Sequence, residues 1–140
     1  RDLFGDDGRV GQHLRLPVGT LVREIVIPSR SNGLRTAHRK VAIRQAIDFP
    51  LLSLAVSAQF AHDVCEEMTV VVSAVWPKPR VITFCPKARL TEEWIAQIAQ
   101  TAFAAAHPLP TALGPGIAWR RQMARVETER ALRELVATSI

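Results

Sequence analysis

Arg39, Lys40 and Arg44 stand just upstream of Asp48-Phe49-Pro50 in the stretch RKVAIRQAIDFPLLSLAVSA, residues 39–58. Cations followed by a carboxylate and a proline could present charge and backbone donors to an anionic or electron-rich ligand. The apolar run that follows would give such a loop a firm base. A turn with no other purpose would use Gly, Asn or Asp-Gly, and none stands here. On residues alone a second reading is open beside the first. It is an edge strand with ordinary outward charges, then an Asp that caps a turn ahead of Pro50.

Other chemistry is hard to place. The chain has no GxSxG, HExxH, phosphate-loop or GxGxxG pattern. His13, His38, His62 and His107 are scattered without metal spacing and read as surface or loop residues. Ser53 and Ser57 share one face of an apolar strand with no base beside them in sequence, so neither reads as a nucleophile. Asp6-Asp7 and Glu66-Glu67 read as solvated acidic pairs in loops. Cys65 and Cys85 form no CxxC pair, so two buried reduced thiols, no metal and a cytoplasmic setting are expected. The net charge of +5 is spread over the chain rather than clustered, and there is no Tyr for base stacking. That disfavours nucleic acid as a partner.

The elements that must position these residues follow from length and pattern. At 140 residues, 48% of them hydrophobic and 22% charged, the chain is one globular domain. A domain of that size buries roughly 68% of its unfolded surface. No apolar run approaches the ~20 residues that cross a bilayer. The longest is broken by Pro50, Ser53, Ser57 and Gln59. The polar start RDLFGDDGRV is not a signal peptide, and a first residue of Arg rather than Met suggests a piece of something longer.

Residues 1–18 read as a polar lead-in loop, 19–86 as a sheet and 90–137 as helices. TLVREIVI (20–27) alternates and is β-branched, which predicts a strand ending at Pro28. Residues 34–43 resume a weaker alternation and predict a second strand near an edge, given their cationic face. Residues 51–61 predict a buried central strand and 62–67 a short connection. MTVVVSAVW (68–76) predicts a further strand, PKP (77–79) a turn, and 80–86 a short strand or extended link.

Thr91 followed by Glu92 and Glu93 marks the start of a helix over 91–106. PLPTALGPG (108–116) is a rigid linker, and 117–137 predicts a second long helix. In that helix Trp119, Met123 and Val126 form one apolar group, and Ala131, Leu132, Leu135 and Val136 another. At about 100° per residue the two point to opposite sides, so the helix is expected to touch two surfaces. Strands first and helices last predict an α+β fold, an antiparallel sheet of three to four strands packed against C-terminal helices.

The ordered segments LVREIVIP, RKVAIRQAIDFPLLSLAV, VVVSAVWPKP, LTEEWIAQIAQTA and WRRQMARVETERAL resemble one known domain. It is the C-terminal domain of the FAD-binding medium subunit of molybdenum hydroxylases, the xanthine dehydrogenase and carbon monoxide dehydrogenase family. The resemblance runs from about residue 12 to 137, and R-x-A-I-D-F-P and WRRxMxRV…RAL carry most of it. It implies N-terminal FAD-binding domains, an iron–sulfur small subunit and a molybdenum-cofactor large subunit as partners.

The resemblance also implies that the segment matching residues 40–50 runs past the flavin ring, making Lys40, Arg44 and Asp48 flavin-proximal residues. There, a cation would favour the anionic reduced flavin and a carboxylate would oppose it. The family's glycine-rich pyrophosphate segments are absent here, so most of the FAD site would lie outside this chain, and the isolated chain is not expected to be active. Glu127 departs from the apolar residue that relatives usually carry. The alternatives are a non-catalytic interaction module of the same fold and a basic RNA-binding α+β domain. The substrate would be read by another subunit.

Overall fold

The computed structural model describes residues 3, 14–27, 29, 33–44, 47–110 and 114–137. Asp6, Asp7, His13 and Pro28 lie outside the described residues. Four strands, β1 (Leu34–Val41), β2 (Leu52–Ala61), β3 (Val64–Ser73) and β4 (Arg80–Phe84), precede two helices, α1 (Glu92–Ala105) and α2 (Ile117–Ala137). The sheet is an antiparallel meander in the order β1-β2-β3-β4, so the cationic strand does lie at an edge. Consecutive pairing of this kind needs only short connections.

The expected antiparallel α+β architecture holds, with one strand misplaced. Residues 21–27 have no strand assignment and their side chains are exposed. A strand exists only where a neighbour accepts its ladder bonds, and among the described residues this segment has none. β3 also begins earlier than its valines suggest. Only His62 and Asp63 form the turn after β2, and Glu66 and Glu67 are exposed members of the strand. His62 takes the left-handed conformation (φ 56°) that so tight a turn requires.

Gly33 sets the entry to β1. Its φ is +89° and its carbonyl accepts the Phe60 N–H at 2.9 Å. A Cβ there would stand 2.3 Å from the Phe60 carbonyl oxygen, so glycine is required.

One face of the sheet carries Leu54, Val56, Ala58 and Phe60 from β2 and Met68, Val70 and Val72 from β3, all buried. Ile95, Ile98, Leu132 and Leu135 complete the core from the helices. Thr91 caps α1, its side chain accepting the Trp94 N–H, and α1 packs along α2. α2 lies across β1 and β2.

Within this chain α2 buries one surface. Its buried positions are Arg120, Ala124, Glu127, Thr128, Ala131, Leu132 and Leu135, a single stripe at helical spacing. Trp119 and Val136 are exposed, and Met123 is only half-buried. Polar residues fill the upper part of the stripe, so the apolar pattern alone misplaces it. The opposite sheet face, with Thr36, His38, Ala55 and Val81 exposed, is covered by no described element. Cys65 is buried and its thiol is pushed up to about 11 by desolvation, whereas Cys85 is exposed, against the expectation of two buried thiols. No helix among the described residues is long and apolar enough to cross a membrane.

Candidate functional site

The connection between β1 and β2 brings Arg44 and Asp48 together. The Leu51 N–H donates to the Val41 carbonyl at 2.7 Å and closes the base of the loop. Above it, the Asp48 carboxylate serves the loop's own backbone. Its Oδ2 accepts the Arg44 N–H at 3.1 Å and its Oδ1 accepts the Phe49 N–H at 2.9 Å. The Arg44 Nε lies 3.5 Å from the same Oδ2. The bond from the Arg44 backbone is the largest cause holding this carboxyl below the ordinary carboxylate range. Asp48 is therefore a brace whose charge the loop already satisfies, and the capping reading of this residue is the one the geometry supports.

What the loop offers to its surroundings is a mixture of apolar surface and cation. Ile47 is 99% exposed and Phe49 is 91% exposed, while the Arg44 side chain, 71% exposed, leaves its guanidinium accessible. Lys40 is an exposed member of β1, opposite Ser53 in the register. Arg39 leaves the group that the sequence puts it in. Its guanidinium turns to α2, pairs with Glu134 and lies 3.8 Å from Glu127. Glu127 also accepts a 2.7 Å bond from Arg130, so the departure at this position is neutralised by two cations.

The residue that holds the loop against the body is Arg120, which sequence reasoning did not single out. It is 6% exposed, and its guanidinium meets backbone carbonyls rather than a carboxylate. Its Nε donates to Leu51 at 3.0 Å, one terminal nitrogen to Leu109 at 3.2 Å, and the other to Ala74. Ala74 takes a left-handed conformation (φ 66°), a strained choice for a side-chain-bearing residue. One signal was available. Arg120 and Arg121 stand in the first turns of α2, where the helix dipole disfavours cations, so their presence points to a tertiary partner. Gly114 packs beneath the same loop, where an added Cβ would meet Ile43 at 3.3 Å and Leu51 at 3.5 Å.

Elsewhere the chemistry is sparse. Among the described residues no group of three or more His, Cys, Asp or Glu could hold a metal ion. The uncovered sheet face has a shallow depression of about 250 Å³ lined by residues such as His38, Ala55, Ser57, Thr69 and Val71. His38 Nε2 and Ser53 Oγ lie 3.3 Å apart on that face, and among the described residues no third group bonds to either to orient them into a catalytic pair.

Residues 37–135 match the family model described as the CO dehydrogenase flavoprotein C-terminal domain. No curated protein matches the chain. Among solved structures, the chain is similar to carbon monoxide dehydrogenase from Hydrogenophaga pseudoflava that lacks the Mo-pyranopterin moiety of the molybdenum cofactor. The TM-score is 0.68 at 20% identity, over 79% of this chain and 39% of that one. Reconstituted CO dehydrogenase from Oligotropha carboxidovorans gives 0.67 at 20% identity, over 79% and 40%. Quinoline 2-oxidoreductase from Pseudomonas putida 86 gives 0.64 at 19% identity, over 76% and 38%. The chain thus spans about two fifths of the length of the solved chains it matches.

Proposed function

The chain belongs to the CO dehydrogenase flavoprotein C-terminal domain family, and from that premise we propose that it is the C-terminal domain of a molybdenum hydroxylase flavoprotein subunit. In this reading it is a single domain that closes over the FAD held by preceding FAD-binding domains, and it supports assembly with iron–sulfur and molybdenum-cofactor subunits. The isolated chain is not an active enzyme, and a cytoplasmic setting belongs to the same reading.

The observation that carries the proposal is the braced loop between β1 and β2, which offers Ile47 and Phe49 to the outside with the Arg44 guanidinium beside Asp48. Two exposed large apolar side chains on one loop, with a guanidinium on the same loop, suit a ring that is flat, apolar in face and anionic when reduced. The loop is not glycine-rich, so the phosphates of FAD would be held elsewhere. FAD, when bound, supplies hydride and one-electron chemistry. This chain's own part is positional and electrostatic. Asp48 and Arg120 fix the loop, Phe49 and Ile47 exclude water, and Arg44 and Lys40 set the local charge.

Redox titration of the assembled enzyme tests the reading. Lys40→Ala and Arg44→Ala are expected to lower the flavin potential by on the order of 10–40 mV, since each removes a positive charge that favours the reduced anion. Urea midpoints should hardly move for Lys40→Ala. Unchanged potentials for both variants, with assembly intact, would leave the domain as an interaction module only.

A further inference from the structure

Arg80 and Arg121 stand far apart in the sequence, and folding sets both against aromatic rings at the C-terminal end of α1. The Arg80 guanidinium lies 4.2 Å from the centroid of the Trp76 ring, and the Arg121 guanidinium 4.4 Å from that of Phe103. Phe103 belongs to the last turn of α1, and His107 follows just past its end. The His107 N–H donates to the Val75 carbonyl at 3.1 Å, and its ring meets that of Trp76 in a T-shaped arrangement, 5.6 Å between centroids. The two stacked cations therefore flank one helix terminus.

Neither charge is answered within the described residues. The Nε of Arg80, the Nε of Arg121 and the Nε1 of Trp76 are buried donors that find no acceptor among them. From residue 68 to residue 126 the chain carries seven Lys or Arg against two acids, Glu92 and Glu93, and both acids lie at the other end of α1. Glu92 is already taken by Arg133 at 2.8 Å. The C-terminal dipole of α1 offers only about half an elementary charge of opposite sign, which two full cations exceed. Buried donors left unmet are costly, most of all on charged groups, so the arrangement suits an acceptor from outside. Stacking on the rings holds the two guanidiniums in place beforehand, which lowers the entropy lost on binding.

We infer that this corner of the domain, built from Trp76, Arg80, His107 and Arg121, is a docking surface for an acidic segment of another protein chain, whose carboxylates the two guanidiniums take. Charge complementarity sets the sign of the partner, and the rings set its class. A nucleic acid has the same sign, but single strands are held by stacking bases on open aromatic faces. Here Arg80 and Arg121 already cover Trp76 and Phe103, and both rings are half-buried. Carboxylates need no ring, and the planar guanidinium fork fits them in bidentate fashion. The surface uses none of the residues of the flavin reading and goes beyond it.

Titration of the isotope-labelled full chain with a synthetic deca-glutamate peptide, followed by NMR, tests the inference. At about 150 mM salt, where scattered surface charges are largely screened, the indole N–H of Trp76 and the Nε–H groups of Arg80 and Arg121 should shift and saturate. The indole of Trp94, at the other end of α1, should stay in place. Arg80→Gln combined with Arg121→Gln should weaken binding about 10-fold. Arg89→Gln removes a cation ahead of the start of α1 and should change it by less than about 2-fold. Shifts spread over the whole surface, or an equal loss in the Arg89 variant, would reduce the patch to general positive charge and overturn the inference. So would the absence of any shift at millimolar peptide. A single-stranded oligonucleotide of equal charge that moves the same three signals at lower concentration would assign the surface to nucleic acid instead. The titration of the unsubstituted chain decides the matter even if the double variant does not fold. It needs no bound flavin, so its failure is separate from the failure of the loop variants to move the flavin potential.

Discussion

The Nε of Arg120 donates to the carbonyl of Leu51 at 3.0 Å, joining the first turns of α2 to the end of the β1–β2 loop. The same guanidinium takes the carbonyls of Leu109 and Ala74, so one side chain ties three separate segments. Burial pulls its pKa below the ordinary arginine value without making it neutral. Arg120→Ala strands these carbonyls without a donor and should cost about 2–4 kcal/mol in urea denaturation. Arg120→Lys should recover little, since an ammonium lacks the planar fork that reaches three acceptors. A loss below about 0.5 kcal/mol for the alanine variant would show that water replaces the guanidinium without penalty.

Asp48 should make stability depend on pH in one direction only. Its carboxyl lies below the ordinary value of 3.8 because the backbone N–H of Arg44, above all, favours the charged form. The folded pKa is depressed, so the contribution is complete well above 3.8 and is lost as pH falls through the lower folded value. Asp48→Asn should therefore lower the urea midpoint near neutral pH, and the gap to the unsubstituted protein should close below the ordinary value. A gap that is constant from neutral to strongly acidic pH would assign the effect to shape rather than charge.

Val56 and Val72 sit on the covered face of β2 and β3 with 1% and 0% exposure. Replacing either by Ala removes two methyl groups from a close-packed site. The expected loss is about 1–3 kcal/mol, from transfer energy plus the cavity left behind. The control is Val81→Ala on β4, whose side chain is exposed and which should change stability by less than about 0.5 kcal/mol. Equal losses at Val72 and Val81 would contradict the assignment of the two faces.

By itself the sequence determined those features whose causes are local. Thr91 caps α1 as read, because the capping bond spans only a few residues and the acidic first turn supports it. α2 runs over 117–137 because nothing within it breaks a helix. β1 lies at an edge because its cations could not be buried. The central place of β2 followed from its apolar run, and the α+β order of elements from strands preceding helices.

Tertiary structure decided whatever depended on a partner distant in sequence. Residues 21–27 have every local preference for a strand, yet preference supplies no neighbour to accept the ladder bonds. The buried face of α2 runs through Arg120, Glu127 and Thr128, which an apolar count turns outward. Their burial is tolerable only because folding brings the carbonyls of Leu51 and Leu109 to Arg120 and the cations Arg39 and Arg130 to Glu127. The split of the cations was likewise invisible, since Arg39 and Arg44 differ only in what lies opposite them after folding. Periodicity reports which side of an element is apolar. A buried polar group is stable only when partners meet its hydrogen bonds or charge, and those partners are brought near by the fold.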